Sequence, residues 1–174
     1  MASTAEKRRF AGLVVAVLVL DLLTKYLAEA RLPRYREVPI LGDVFQLQLV
    51  YNRGAAFGIH IGDYSRWFFT ALTVVALVVL AVMVRRTKSG NALRFYAIAA
   101  IMAGATGNLI DRLRSSQGVV DFLLFSVGTF RWPNFNVADM AVSCGAVALA
   151  LALWTEDRHR HTAASPGAAP PGPG

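Results

Sequence analysis

The stretch that decides the architecture is Phe10-Ala-Gly-Leu-Val-Val-Ala-Val-Leu-Val-Leu-Asp21-Leu-Leu-Thr-Lys25-Tyr-Leu-Ala28. It is apolar for 19 residues except at Asp21 and Lys25. As a helix rising 1.5 Å per residue it reaches about 28 Å, close to the hydrocarbon thickness of a bilayer. Three further runs have the same character, at residues 67–84, 93–110 and 137–154. The whole chain is 55% hydrophobic and 17% charged over 174 residues, outside the usual composition of a water-soluble domain. The expected fold class is therefore a membrane protein, mostly α, with four transmembrane helices. Residues 1–161 make a single integral-membrane domain, because the connecting segments are too short to build a second core.

A net charge of +7 would point to nucleic acid in a soluble protein, but these cations flank the apolar runs instead of forming one patch. No nucleic-acid partner is expected. Lys7, Arg8, Arg9, Arg85, Arg86, Lys88, Arg94, Arg158 and Arg160 crowd into segments of about 25 residues, whereas the other two connections hold eight Lys or Arg in about 63. The positive-inside rule then puts both termini in the cytoplasm and the connections 29–66 and 111–136 outside.

The first run also resembles a secretory signal peptide, since it follows a Lys-Arg-Arg start and ends at Ala28-Glu-Ala30, a small-x-small site. Asp21 and Lys25 argue against removal, because a cleavable apolar segment has no use for them. In the first external connection, Val44 to Tyr51 alternates, with Phe45, Leu47, Leu49 and Tyr51 on one face and Val44, Gln46, Gln48 and Val50 on the other. That pattern predicts a strand or hairpin whose apolar face rests on the membrane surface. Ser89-Gly90-Asn91 marks a tight turn that makes the second and third spans antiparallel neighbours. Residues 162–174, rich in Ala, Pro and Gly, are expected to be a disordered tail.

Cys144 lies inside the fourth run, so it offers no disulfide or cysteine metal site, and His60, His159 and His161 are scattered. No metal and no cofactor are expected. The informative residues are the acids. An Asp or Lys near the centre of a spanning helix costs about 2.5 to 3.5 kcal/mol on insertion scales and needs a reason. Asp21 and Lys25 are four apart, share one helix face and can pair, which makes them structural polar residues of the bundle.

With both termini inside, the third run ends outside at Asn108-Leu-Ile-Asp111-Arg112, and the fourth begins there at Asn136-Val-Ala-Asp139. Val119-Val-Asp121-Phe122 lies between them, so Asp111, Asp121 and Asp139 share one depth. Helix capping accounts for Asn136 and Asp139, but not for Asp121, an isolated acid among Val119, Val120, Phe122, Leu123, Leu124 and Phe125. Desolvation raises the pKa of such a carboxyl, and a second carboxylate nearby raises it further. Two carboxyls sharing one proton are what aspartic proteases use to activate water. A proton-coupled transporter is the rival class, since membrane acids also mark ion paths, but no internal repeat is visible and the acids gather at one interface instead of the midplane.

Five segments together resemble the bacterial lipoprotein signal peptidases, or signal peptidase II: Asp21-Leu-Leu-Thr-Lys25, Asn52-Arg53-Gly54-Ala-Ala-Phe-Gly58, Gly104-Ala-Thr-Gly-Asn108-Leu-Ile-Asp111-Arg112, Val119-Val-Asp121-Phe122 and Phe135-Asn136-Val-Ala-Asp139. Each is weak alone; in order and in register with four spans they are specific. The resemblance implies an aspartyl endopeptidase of the bacterial inner membrane that cuts diacylglyceryl-modified prolipoproteins before the lipid-bearing cysteine, at the outer leaflet. It implies Asp121 and Asp139 as the catalytic pair. Asn52, Arg53, Gly54, Gly104, Asn108, Arg112 and Asn136 would bind substrate or line the site, while Asp21, Lys25 and Asp111 are structural. It also implies a small external β-sheet and loop over the site. Membrane lipids are the expected surroundings, and the protein is expected to be a monomer.

Overall fold

The apolar runs become four helices. In the computed structural model, which describes residues 3–54 and 62–164, these are α1 (Thr4–Arg31), α2 (Ser65–Arg86), α3 (Ala92–Arg114) and α4 (Val137–Ala164). All four are long and apolar enough to cross a membrane. They overrun the expected spans at every end except the start of α4, and caps account for part of this. At the start of α1, the Ser3 hydroxyl accepts the Glu6 N–H at 3.2 Å and the Glu6 carboxylate accepts the Ser3 N–H at 2.7 Å, a reciprocal capping box. Asn91 accepts the N–H of Arg94 to open α3. The last helix continues through Ala164, three residues into the segment expected to be tail; residues 165–174, Gly58 and His60 lie outside the described residues.

The third helix is the centre of the bundle. Of its apolar stretch 44% is buried, against 11% in α1 and α2 and 17% in α4, and it packs on each of the other three. Small side chains permit this. Ala97, Ala99, Ala103, Gly104 and Gly107 are buried along α3, and a Cβ on Gly104 would run into the carbonyl oxygen of Ala138 on α4. Gly145 is the reciprocal notch, where a Cβ would lie 2.9 Å from the Ala97 carbonyl oxygen. Close backbone approach of this kind is how helices associate in lipid, where burial of apolar surface offers no driving force. The outer faces stay apolar: Val15, Val19, Leu23, Leu72, Val75, Val79, Val147 and Leu151 are all exposed. On a water-soluble protein such a surface would be a liability.

At one end of the bundle sits a four-stranded antiparallel sheet in the order β1 (Val38–Leu41), β2 (Phe45–Asn52), β3 (Val119–Val127) and β4 (Phe130–Arg131). The expected strand is β2. Its partner β3 comes from the other connection, with Val50 opposite Asp121 and Tyr51 opposite Val120. The face carrying Leu47, Leu49 and Tyr51, expected to rest on the membrane surface, has protein against it instead. It packs with Val120 and Phe122 against Ala28, at the end of the apolar run of α1, and Leu32, which caps that helix. The other side of the strand is not wholly wetted either, since Gln46 is buried. The consequence for function lies in the pleat: with Val120 and Phe122 turned toward α1, Asp121 is turned toward α3 and α4.

Candidate active site

Four elements deliver the polar residues to one place, and the end of β2 supplies Asn52. Asp121 comes from the second face of β3, Asn108, Asp111 and Arg112 from the last turns of α3, Asn136 from the position just before α4 and Asp139 from the first turn of α4. Asp121 is 1% exposed and Asn136 fully buried. Asp121 and Asp139 line one cavity of about 300 Å³ together with Asn52, Asn108 and Arg112.

All four carboxylate oxygens of the two acids accept a hydrogen bond. Asp121 Oδ1 receives the Asn136 amide at 2.7 Å and Oδ2 the Asn52 amide at 3.1 Å. Asp139 Oδ1 receives the Asn108 amide at 2.8 Å and Oδ2 the backbone N–H of Asn136 at 3.2 Å. Three asparagine amides therefore present their NH₂ ends to the two acids. Burial in this apolar corner is the main cause, and the charge of Asp139 the second, that pushes the Asp121 carboxyl from its ordinary 3.8 up to about 7. A carboxyl poised there holds or releases a proton near neutrality.

Behind the cavity lies a second cluster. Lys25 Nζ meets Asp21 Oδ2 at 2.8 Å, Asp111 Oδ2 at 2.9 Å and the Asn108 side-chain oxygen at 2.9 Å. Asp111 Oδ2 also accepts the Val120 N–H at 3.2 Å, tying β3 to α3. Among the described residues no three His, Cys, Asp or Glu side chains are grouped to hold a metal ion.

A family model described as signal peptidase (SPase) II matches residues 13–155. This chain belongs to the signal peptidase II family. A lipoprotein signal peptidase from Geobacter sulfurreducens is 40% identical over 155 residues, covering 88% of this chain and 96% of that protein. One from Francisella tularensis subsp. novicida is 36% identical over 157 residues, covering 87% and 96%. A bacterial membrane enzyme solved by the in meso method at 2.3 Å resolution superposes with a TM-score of 0.78 at 28% identity, over 86% of this chain and 89% of the other. As a member of this family the chain is a multi-pass membrane protease.

Within this signal peptidase II chain the expected residues divide. Asn52, Asn108, Arg112, Asp121 and Asp139 line the cavity. Asn136 stands behind it, holding Asp121. Gly54 acts through its backbone: its N–H donates to Asn52 Oδ1 at 2.9 Å, and its carbonyl accepts from Arg112 at 3.3 Å. Arg53 is exposed and is not part of the cavity wall, and Gly104 faces the α4 backbone. The expected Asp21–Lys25 pair is present, with Asp111 and Asn108 as further partners of the lysine.

The sequence did not mark Trp132, Pro133, Asn134, Met140, Ser143 or Cys144 as lining the cavity. Ser143 follows Asp139 by four residues, the spacing of one helix face that would have disclosed it, whereas Met140 and Cys144, at one and five, carry no such signal. Gly118 was also missed. It adopts a φ of +101°, and a Cβ there would collide with the Asn52 carbonyl.

Proposed function

We propose that this chain is an aspartyl endopeptidase that removes signal peptides from prolipoproteins, with Asp121 and Asp139 as its catalytic pair. The observation that carries the assignment is the hydrogen-bonded convergence of two carboxyls, from β3 and α4, on one cavity. With one proton between them, the ionised acid draws a proton from water as it attacks the scissile carbonyl. The protonated acid donates to the carbonyl oxygen, and the roles reverse as the amine departs. Asn52, Asn108 and Asn136 hold both carboxyls in place before substrate arrives, so little reorganisation is required at the moment of reaction. The Arg112 guanidinium, buried at the cavity wall, is placed to receive a peptide carbonyl.

The cavity opens where the bundle meets the sheet, at the end of the spans opposite the dense Lys and Arg clusters. This supports a site at the outer leaflet with both termini cytoplasmic. A substrate anchored by acyl chains beside its cysteine would present the bond to be cut at that depth. The family's chemistry fits the location: the signal peptide lies in the membrane on one side of the bond and the lipidated cysteine on the other.

The test is a gel shift of a diacylglyceryl-modified prolipoprotein incubated with the purified protein in detergent. Wild-type protein should convert it to the shorter form, and Asp121→Asn and Asp139→Asn should not. Cleavage of the unlipidated precursor at equal rate would overturn the substrate assignment.

A further inference from the structure

An asparagine amide serves a carboxylate only if its NH₂ end faces it; rotated by half a turn it presents an oxygen and repels. Something must therefore fix each of the three amides around the two acids. For Asn52 it is the Gly54 N–H on Oδ1 at 2.9 Å, and for Asn136 it is the Asp139 N–H on Oδ1, also at 2.9 Å. Both locks are backbone donors within three residues. Asn108 is held differently. Its oxygen receives Lys25 Nζ at 2.9 Å, from another helix and 83 residues away.

The Asn136 NH₂ also approaches that oxygen at 3.1 Å, but it has two hydrogens and three acceptors in reach, the others being Asp121 Oδ1 at 2.7 Å and the Val120 carbonyl at 3.1 Å. An ammonium group is unambiguous by comparison: it donates and cannot accept. It also polarises the amide, which strengthens the N–H bond to Asp139 at the far end.

We infer that Lys25 is a positioning residue for the reaction, acting through Asn108 to hold Asp139 in its working geometry. Its pairing with Asp21 and Asp111 keeps the ammonium aimed at the Asn108 oxygen. This rests on Asp121 and Asp139 being the catalytic pair.

A double-mutant cycle on turnover tests it, using Lys25→Met, Asn108→Ala and the combination, with a lipidated prolipoprotein as substrate and rates normalised to folded enzyme. Lys25→Met should lower kcat by about 10- to 100-fold with KM within threefold, because the lysine stands behind Asn108 and is not itself among the residues lining the cavity. In the Asn108→Ala background the same substitution should change kcat by less than threefold, since the amide it orients is gone. Multiplying losses, or a Lys25→Met enzyme with wild-type kcat, would overturn the inference.

Lys25→Met leaves Asp21 and Asp111 without their cation and can fail to fold. The cycle is then run on Asp21→Asn, where the uncompensated charge is smaller and both arms are compared with that parent. Asp139→Asn is assayed alongside. If it retains turnover the dyad assignment has failed; if it is inactive and the cycle is additive, only the role of Lys25 has.

Discussion

Asp21 Oδ1 accepts the backbone N–H of Ala138 at 2.8 Å, so an acid from the middle of α1 closes one of the open N–H groups at the start of α4. It does so inside the bundle, where water cannot substitute. Gly107 makes room, for a Cβ there would collide with Asp21 Oδ2. Asp21→Asn keeps an oxygen for Ala138 and loses the charge facing Lys25, whereas Asp21→Ala loses both. Leaving a buried N–H unmet costs about 1 to 3 kcal/mol. Thermal denaturation in detergent should therefore rank wild type above Asp21→Asn and Asp21→Asn above Asp21→Ala. Equal midpoints for the two variants would mean that the cap contributes nothing.

Asp121→Asn and Asp139→Asn should each lower turnover by about 10³-fold or more while expression, membrane insertion and binding of lipopeptide persist. The substitution preserves shape and removes the exchangeable proton. Single-turnover cleavage paired with a binding measurement separates the chemical role from loss of fold. A variant that binds and still cleaves near the wild-type rate would displace that acid from the mechanism.

The four spans were legible because hydrophobic length is the dominant constraint on a chain in lipid, and each run had to be about 18 residues or more. Depth was legible too: Asp111, Asp121 and Asp139 were placed at one level by counting from the helix ends. Azimuth was not. The i, i+4 rule paired Lys25 with Asp21, but nothing local reveals that Asp111 and Asn108 complete its shell from α3. Strand β3 escaped for a related reason. Its run from Val119 to Leu124 is apolar on both faces, so the period-2 signal that disclosed β2 is absent. One of those faces packs on α1 and the other surrounds the acid.

Gly118 should be intolerant of a side chain. At its φ of +101° an L-residue is strained by about 1 to 3 kcal/mol, and the added Cβ would lie 2.9 Å from Arg53 Cα besides striking the Asn52 carbonyl. Relief requires moving the end of β2, which carries the Asn52 amide off Asp121. Gly118→Ala is expected to lower both the melting midpoint and kcat, the latter by about tenfold. Gly128, with φ of +58° and open space around it, supplies the control: Gly128→Asn in that turn should leave turnover unchanged.

Reporter fusions test the orientation on which the outer-leaflet site depends. Fusions at residue 90 and after residue 160 should be active only with a cytoplasmic reporter, and a fusion in the β3–β4 turn only with an external one. An external signal at residue 90 would invert the bundle and place the dyad at the cytoplasmic face.

The pH behaviour follows from Asp121, the one member of the pair outside the spans. Its carboxyl holds its proton to about 7 in the folded protein and to about 3.8 in the unfolded chain. Between those values the native state binds more protons than the unfolded one, so stability falls as pH rises. The contribution is fully present below about 3.8, drains across the window and is gone once the native carboxyl ionises above about 7. Each pH unit within the window can remove up to about 1.4 kcal/mol. Asp121→Asn cannot ionise, so its melting midpoint should gain on the wild type steadily from pH 5 to pH 7.5 and run parallel above. In activity the same titration appears as an alkaline limb: kcat/KM for lipidated prolipoprotein should decline above about pH 7 as the shared proton is lost. A midpoint difference between the two proteins that does not change with pH would show that Asp121 is ionised throughout, and that the proton the mechanism requires is not held there.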